Sequence, residues 1–265
     1  MATTGAPARA NTPLIEGRGL VKQFGGLRAV DDMSIALRRG EMLGLIGPNG
    51  AGKTTLFSLL AGSLKPTSGT VTIAGHDVSR GGPERRIAHG VGRTFQIPRP
   101  FAEMTVLENV LAGGQRQAGE SIFMNFLRPG RVAAEERAAV EKARSLLDFV
   151  TLSHLEGEPA RVLSGGQRKL LELARILMAD PQAILLDEPA AGVNPTLLEL
   201  IIDRVLELNR QGKSILLIEH NMDMVARLCG RVVVMAGGRF LTEGAPDDVS
   251  RDTTVVEAYL GGVAA

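Results

Sequence analysis

The sequence predicts an α/β fold in which parallel strands end at one phosphate-binding site. One observation is the segment Gly47–Thr55, which reads Gly-Pro-Asn-Gly-Ala-Gly-Lys-Thr-Thr and lies between an apolar strand pattern, Glu41–Ile46, and a helical pattern, Thr55–Ala61. The other is a pair of apolar runs, Ala183–Asp187 and Ser214–His220, which both end in polar residues. Buried runs of this kind are typical of parallel strands, and the carboxyl ends of such strands face the ligand crevice.

Composition limits the classes of protein to which this chain can belong. The 265 residues are 44% hydrophobic and carry a formal net charge of +1. These values predict one sizeable core with room for a smaller subdomain, and they argue against a dedicated nucleic-acid binder. The single cysteine, Cys229, excludes an internal disulfide, fits a reducing compartment and is expected to be buried, because it lies in an apolar helical pattern.

The sequence shows no pattern that predicts a membrane-spanning segment or a signal peptide. No apolar run approaches the ~18 residues that cross a bilayer, and the chain does not begin with an apolar signal region. Residues 1–13 are rich in Ala, Thr and Pro and are predicted to be a disordered lead-in. We therefore expect a soluble protein whose role at a membrane, if it has one, depends on a partner.

Two strands and a turn are predicted before the phosphate-binding segment. Leu14–Val21 forms the first strand and Ala29–Leu37 the second, with Phe24 on the turn between them. Phe24 has two interpretations that remain open at this point. Its ring provides a stacking platform for an adenine, or it is an ordinary core or turn phenylalanine.

The segment Gly47–Thr55 fills every fixed position of the phosphate-binding loop motif. Its backbone N–H groups and the positive end of the following helix dipole point at one place, which suits a polyphosphate. We expect Lys53 to reach the β- and γ-phosphates and the Thr54 hydroxyl to bind Mg²⁺. A glycine turn would match by chance in roughly one such chain in a hundred. The loop residues expected to bind the nucleotide are Gly47, Pro48, Asn49, Gly50, Ala51, Gly52, Lys53, Thr54 and Thr55.

The middle of the chain is predicted to be mainly helical. A strand, Gly90–Phe95, ends at Gln96, and the helical pattern resumes at Thr105 after two prolines. Ala112–Gly130 is predicted to be a surface insertion, and Arg131–Val150 is predicted to be an amphipathic helix.

A second helix start suited to anions follows. Ser164 is predicted to be the N-cap of a helix that continues through Lys169–Met178. Gly165 and Gly166 leave backbone N–H groups uncovered at this helix start. An ordinary capped helix is the plainer alternative, but the phosphate loop in the same chain favours an anion site.

Charged side chains follow the two apolar strands of the predicted sheet. Asp187 ends the first strand and is placed to hold Mg²⁺ directly or through water. Glu188 faces the other way and is placed to act as general base on the attacking water. His220 follows the next strand, where it contacts the γ-phosphate or is a helix N-terminal histidine without a role. Two further strands, Arg231–Met235 and Arg239–Thr242, and a helix near residues 255–260 complete the chain.

The order of these motifs resembles the nucleotide-binding subunits of ATP-binding cassette transporters over about residues 14–260. The motifs are the phosphate loop, Gln96, the segment Leu163–Gln167, the strand Ile184–Glu188 and His220. The resemblance implies a RecA-like α/β core, an N-terminal antiparallel β subdomain and an inserted helical subdomain at about 101–178. It also implies an ATPase that uses ATP and Mg²⁺.

The resemblance further implies a mechanism in which two ATPase subunits close head to tail. ATP then lies between one phosphate loop and the signature segment of the other subunit, which comprises Ser164, Gly165, Gly166 and Gln167. By position, the catalytic residues are Lys53, Gln96, Glu188 and His220. Glu188 is the base, and His220 holds the γ-phosphate. Gln96 contacts Mg²⁺ or the attacking water and senses the membrane partner.

Further segments narrow the resemblance to the larger ATPase of bacterial high-affinity branched-chain amino acid importers. They are Gly92–Gln96, Met104–Asn109, Glu188–Pro195 and Val256–Gly261. This implies two integral-membrane permeases, an indirect link to an extracytoplasmic solute-binding protein, no nucleic acid, and a peripheral position on the cytoplasmic face of the inner membrane. Asn194 departs from the aspartate that is usual in the wider family.

Several alternatives remain open on the sequence. The second ATPase subunit is a copy of this chain or a sister subunit. A lipopolysaccharide-export ATPase has similar motifs, although the Asn194-Pro195 pair and the insertion at Ala112–Gly130 favour import. A soluble cassette ATPase is a further alternative, but such proteins usually carry two cassettes or a long coiled-coil arm. A phosphate-loop kinase is disfavoured because it has no use for the signature segment.

Overall fold

The computed structural model describes residues 13–94, 99–115 and 129–261. These residues fall into two compact units. The first unit contains the described residues up to Arg93, the segment Gln182–Glu188, and the described residues from Val205 onward. The second unit contains the described residues of Thr94–Pro181 together with Pro189–Arg204. The range predicted for a helical subdomain, about 101–178, falls within the second unit.

The helices and strands of the described residues alternate along most of the chain. In chain order they are β1 (Pro13–Phe24), β2 (Leu27–Arg38), β3 (Met42–Ile46), α1 (Lys53–Leu60), β4 (Ser68–Ile73), β5 (His76–Asp77), α2 (Pro83–Ala88), β6 (Val91–Arg93), α3 (Val106–Leu111), α4 (Pro129–Phe149), α5 (Gly165–Leu177), β7 (Ala183–Asp187), α6 (Pro195–Arg210), β8 (Ser214–Ile218), α7 (Met222–Leu228), β9 (Arg231–Ala236), β10 (Arg239–Gly244), α8 (Pro246–Arg251) and α9 (Thr253–Gly261). Short 3₁₀ turns lie at Ser153–Leu155 and Ala160–Val162.

The first unit begins with an antiparallel sheet in the strand order β2-β1-β4-β5. β1 and β2 form a hairpin whose turn contains Gly25 at φ +57°, a conformation that glycine adopts without steric cost. The predicted N-terminal antiparallel subdomain is therefore confirmed, although β1 is longer than expected. It includes Pro13, so the predicted lead-in ends at least one residue earlier, and residues 1–12 lie outside the described residues.

The second sheet of this unit is mainly parallel and has the order β10-β9-β3-β8-β7-β6. Every residue of β7 and β8 is buried, as the continuous apolar runs in the sequence predicted. The register pairs Leu45 and Asp187 with Ile218 in β8. The carboxyl ends of β3, β7 and β8 therefore meet at one edge, and the predicted α/β fold class is confirmed.

The core of the first unit encloses α1. The helix buries Leu56, Phe57, Leu59 and Leu60 against apolar residues of both sheets. Cys229 is buried as predicted, and burial raises the pKa of its thiol to about 12.

A buried arginine holds the end of α1. The Arg86 side chain is 1% exposed and donates hydrogen bonds to the carbonyl oxygens of Leu59, Leu60, Val78 and Gly81. It thereby satisfies carbonyl groups that the helix end leaves without an intrahelical partner.

The second unit is helical, with α3, α4 and α5 packed together. Thr105 caps α3 in a capping box with Glu108. Asn109 is fully buried, and its amide bonds to backbone groups of Phe101, Met104 and Thr105. Most of the predicted insertion, residues 116–128, lies outside the described residues. No helix of the described residues is long and apolar enough to cross a membrane.

Candidate functional site

The phosphate loop connects β3 to α1 and is shaped by two glycines. Gly47 has φ +148°, and a Cβ there would overlap the carbonyl oxygen of Met235. Gly52 has φ +93°, and a Cβ there would overlap the carbonyl oxygen of Ala29. Gly52 is also the N-cap of α1, which has no side-chain cap. The loop therefore depends on glycine at both positions, and the start of α1 carries no side chain that competes with an anion.

Lys53 folds back over this loop. Its ammonium donates hydrogen bonds to the carbonyl oxygens of Gly47 at 2.6 Å and Pro48 at 2.9 Å. Burial lowers the pKa of Lys53, and the negative charge of Glu188 opposes that shift. The Glu188 carboxylate is therefore close enough to the Lys53 ammonium for their charges to interact. Phosphate oxygens in the loop would compete with the two carbonyl groups for the ammonium.

The remaining loop residues are accessible. Thr54, in the first turn of α1, is exposed, and so are Asn49 and Gly50 at the tip of the loop. Gly50 has φ +78°, with no atom within 4 Å of the place where a Cβ would stand. This tip is open to a ligand.

Asp187, the last residue of β7, and Glu188, which follows it, lie in different environments. Asp187 is 3% exposed, and its Oδ2 accepts a hydrogen bond from Arg93 Nη2 at 3.3 Å. Glu188 is half-buried, and its N–H donates to the carbonyl oxygen of Ile218 at 3.0 Å. Its φ of +46° lies in the left-handed region, which costs a residue other than glycine about 1–3 kcal/mol. The strained residue is thus the first one after β7, where the backbone leaves the sheet.

The end of β8 differs from the prediction. The strand ends at Ile218, two residues before His220, so the predicted strand Ser214–His220 is too long. The physical reason is Glu219, whose Oε2 accepts hydrogen bonds from the N–H groups of His220 at 2.9 Å and Asn221 at 3.1 Å. The backbone therefore turns here, and Asn221 caps α7. The His220 imidazole is left exposed beyond the strand.

Glu219 is a site-edge residue that the sequence interpretation missed. It is 1% exposed, and it fixes the backbone that carries His220. The signal was present in the sequence: an acidic residue follows an apolar strand, as Asp187 does. Its local role as an acceptor for two backbone N–H groups becomes visible only in the structure.

Phe24 is the last residue of β1 and is 46% exposed, so the interpretation as a core residue is wrong. The Lys22 ammonium lies 5.1 Å from its ring centroid. An exposed ring at the hairpin turn remains compatible with both adenine stacking and an ordinary turn position.

The signature segment lies in the second unit at the start of α5. Ser164 is the N-cap, as predicted: its Oγ accepts from Gln167 N at 3.3 Å, and Gln167 Oε1 accepts from Ser164 N at 2.9 Å. The backbone N–H of Gln167 therefore already has a hydrogen-bond partner. Fewer N–H groups at the start of α5 are left for an anion than the sequence predicted. Gly166 is buried, and a Cβ there would lie 2.7 Å from Leu197 Cδ1, whereas Gly165 is exposed.

Two further predicted positions have different outcomes. Gln96 lies outside the described residues. Asn194 Oδ1 accepts a hydrogen bond from Leu197 N at 2.9 Å, so its side chain caps the start of α6. An aspartate can make the same bond, and the departure from the wider family therefore changes charge rather than the local fold.

Comparisons with known proteins point to one family. The ABC transporter family matches residues 30–191, and a family described as branched-chain amino acid ATP-binding cassette transporter matches residues 241–265. The "Probable branched-chain amino acid transport ATP-binding protein LivG" of Archaeoglobus fulgidus is 41% identical over 94% of this chain and 95% of its own length. The "High-affinity branched-chain amino acid transport ATP-binding protein LivG" of Escherichia coli is 38% identical over 94% of this chain and 98% of its own.

A solved structure supports the same relationship. The ADP conformation of an ATP-binding cassette from an ABC transporter is 38% identical to this chain and has a TM-score of 0.80. The similarity covers 95% of this chain and all of that one. The likeness therefore extends over both the fold and the sequence.

Proposed function

The chain belongs to the ABC transporter family and is an ATPase of the ATP-binding cassette type; from that premise we propose that it drives the uptake of branched-chain amino acids or a related small solute through partner permeases. The observation that carries the ATP-hydrolysing part of the proposal is that β3, β7 and β8 end at one sheet edge, where the phosphate loop, Asp187, Glu188 and His220 are placed. The match of residues 241–265 to the branched-chain amino acid family supports import over lipopolysaccharide export or a soluble role.

The loop from Gly47 to Thr55 binds the phosphates of ATP. Its glycines let the backbone turn N–H groups toward the nucleotide, and Lys53 exchanges its two loop carbonyl partners for phosphate oxygens. The exposed ring of Phe24 stacks on the adenine. Binding at this loop orients the γ-phosphate toward the carboxylates that follow β7.

The donor set beside the loop suits Mg²⁺. The Thr54 hydroxyl and the buried Asp187 carboxylate are hard oxygen ligands, which Mg²⁺ prefers together with phosphate oxygens and water. Gln96 is proposed as a further contact. When bound, the ion neutralises phosphate charge. The chain's own task is to hold Asp187 at the strand end in one orientation.

Glu188 is the general base. Its backbone leaves the strand in the left-handed region, and its charge acts on Lys53, which supports a position beside the γ-phosphate. The carboxylate takes a proton from the attacking water as the water approaches phosphorus. His220, held by the backbone bonds to Glu219, contacts the γ-phosphate from the next strand.

A second cassette completes the site. We propose that Ser164, Gly165, Gly166 and Gln167 face the ATP bound by a partner ATPase subunit, with the capping box keeping the helix start rigid. Closing the pair excludes water, and hydrolysis lets it reopen. The assembly includes two permeases and works with an extracytoplasmic solute-binding protein, and this chain lies on the cytoplasmic face of the inner membrane.

A pull-down from native membranes tests the assembly. Tagged wild-type protein, purified in mild detergent, is expected to bring down two permeases and a shorter second ATPase. The matched control is Lys53→Ala. This variant keeps the rest of the protein surface unchanged and loses only the ammonium that contacts the phosphates. Co-purification of a sugar-lipid export assembly, or of no membrane protein while ATP binding is intact, would contradict the importer assignment.

A further inference from the structure

Arg93 connects the Asp187 carboxylate to the far end of the phosphate-loop helix. It is the last residue of β6, which runs parallel to β7 with Arg93 beside Leu185. Its Nη2 lies 3.3 Å from Asp187 Oδ2, and its Nη1 donates to Ser63 Oγ at 2.8 Å. The guanidinium carbon is 4.9 Å from the ring centroid of Phe57 in α1. All of these residues belong to the first unit.

The pair is buried rather than a flexible surface contact. The side chains of Arg93 and Asp187 are 15% and 3% exposed. An ionised carboxylate at that depth is strongly unfavourable unless a positive charge compensates it. The ring of Phe57 and the hydroxyl of Ser63 fix the guanidinium, so the compensating charge has a defined position.

We propose that Arg93 is a positioning residue that neutralises and orients Asp187 while Mg²⁺ is absent, and that it competes with Mg²⁺ for this carboxylate when nucleotide binds. The proposal rests on the proposed function, because it takes Asp187 to be the magnesium ligand. Two cations near one buried carboxylate repel each other, and burial weakens the screening between them. Arg93 therefore raises the Mg²⁺ concentration that the nucleotide complex requires.

The geometry favours arginine for this task. Its planar fork reaches Asp187 through one terminal nitrogen and Ser63 through the other at the same time. The Ser63 hydroxyl and the Phe57 ring remain as partners when the carboxylate is engaged elsewhere. The guanidinium can thus release Asp187 without losing every favourable contact.

The test measures Mg²⁺ binding rather than turnover. Purified protein is saturated with a fluorescent ADP analogue in excess chelator, and MgCl₂ is then titrated while nucleotide fluorescence and thermal stability are followed. In Arg93→Gln the midpoint for Mg²⁺ is expected about tenfold lower, which corresponds to ~1.4 kcal/mol. Its melting temperature without Mg²⁺ is expected below that of the wild type, and saturating Mg²⁺ with ADP is expected to recover most of that loss.

Two further variants separate charge from position. Arg93→Lys keeps the charge, so its midpoint is expected to stay within about threefold of the wild type; a tenfold fall there would overturn the proposal even if Arg93→Gln fails to fold. Arg144→Gln is the matched surface control, because it removes one arginine charge and one ion pair, with Glu156, at an exposed place in the second unit. Its midpoint is also expected to stay near that of the wild type.

The failures of the two proposals are distinguishable. A wild-type protein that binds neither ADP nor Mg²⁺ with ADP would refute the proposed function. A wild-type protein that binds both, beside an Arg93→Gln midpoint that is equal or higher, would overturn only the assignment of Arg93. A melting-temperature loss in Arg93→Gln that Mg²⁺ and ADP leave unchanged would reduce Arg93 to a structural role and would also overturn it.

Discussion

Replacing Glu188 with glutamine tests the chemical step most directly. The substitution keeps the size of the side chain and its hydrogen-bonding reach, but it removes the ability to accept a proton from water. Glu188 lies in a left-handed backbone conformation, and glutamine meets the same cost there, so the fold is expected to remain unchanged. The effect of Glu188→Gln therefore isolates the carboxylate charge.

The size of the expected effect follows from the role of the group. A positioned general base contributes about 10²–10⁴ in rate, which is ~2.7–5.5 kcal/mol in activation free energy. The negative charge of Glu188 acts on the same region as the Lys53 ammonium. Removing that charge takes away repulsion against the triphosphate, so we expect ATP binding to be as tight as in the wild type or tighter.

The assay compares hydrolysis with binding in the same preparation. ATP turnover by Glu188→Gln is expected to fall at least a hundredfold, while the affinity for a fluorescent ATP analogue is retained and a closed dimer accumulates with ATP. The matched control is Glu243→Gln, which breaks a surface ion pair with Arg231 and is expected to hydrolyse ATP normally. Undiminished hydrolysis by Glu188→Gln, with the control intact, would refute the assignment of the base.

Three other expected outcomes concern the loop and its helix. Gly47→Ala places a Cβ onto a backbone carbonyl and is expected to abolish binding of an ATP analogue. Gly50→Ala meets open space, so its only cost is the ~1–2 kcal/mol of stability that a positive φ takes from alanine. Calorimetry of analogue binding and melting curves distinguish the two variants. Arg86→Lys replaces the planar guanidinium, which reaches four carbonyl groups at once, by a single ammonium that cannot reach all of them. The carbonyl groups of Leu59 and Val78 keep backbone donors, so the free energy of unfolding is expected to fall by about 1–3 kcal/mol, measured in urea. An unchanged midpoint would contradict the role of the guanidinium. In Glu188→Gln the pKa of Lys53 is expected to fall further, because the Glu188 charge that opposes the effect of burial is gone. Lys53 then loses its proton, and the protein its ATP affinity, at a lower pH than in the wild type. A binding titration from neutral to alkaline pH measures this shift.

The parts of the site that the sequence predicted are those with local causes. The phosphate loop needs glycines within a few residues of each other, and the capping box joins Ser164 to Gln167, three positions further along the chain. Both can be found from spacing alone. Arg93 and Asp187 are 94 residues apart in sequence, so their contact depends on the pairing of β6 with β7 and left no local signal.

The wrong strand end at His220 has a similar explanation. The apolar run Ser214–Ile218 continues into a glutamate that a strand pattern tolerates, and periodicity cannot distinguish a strand residue from one that turns back on its own backbone. The exposure of Phe24 was likewise undetermined, because a turn residue beside a sheet faces either the core or the solvent. In each case the missing information was which neighbour the side chain contacts.

The two ends of α1 have opposite electrostatic environments, and this explains why arginines matter at a distance from the phosphate loop. The start of the helix has no side-chain cap, so its N–H groups are left for an anion, and that omission costs stability while no ligand is bound. The end of the helix has buried Arg86 on its carbonyl groups and Arg93 on Ser63 just beyond it. Cations at a helix C-terminus are worth about 0.3–1 kcal/mol each through the dipole. Arg86 and Arg93 thus offset the stability lost at the uncapped start of α1 without occupying the phosphate position. Loss of Arg86 is therefore expected to reduce stability more than nucleotide affinity. Loss of Gly47 is expected to reduce nucleotide affinity more than stability.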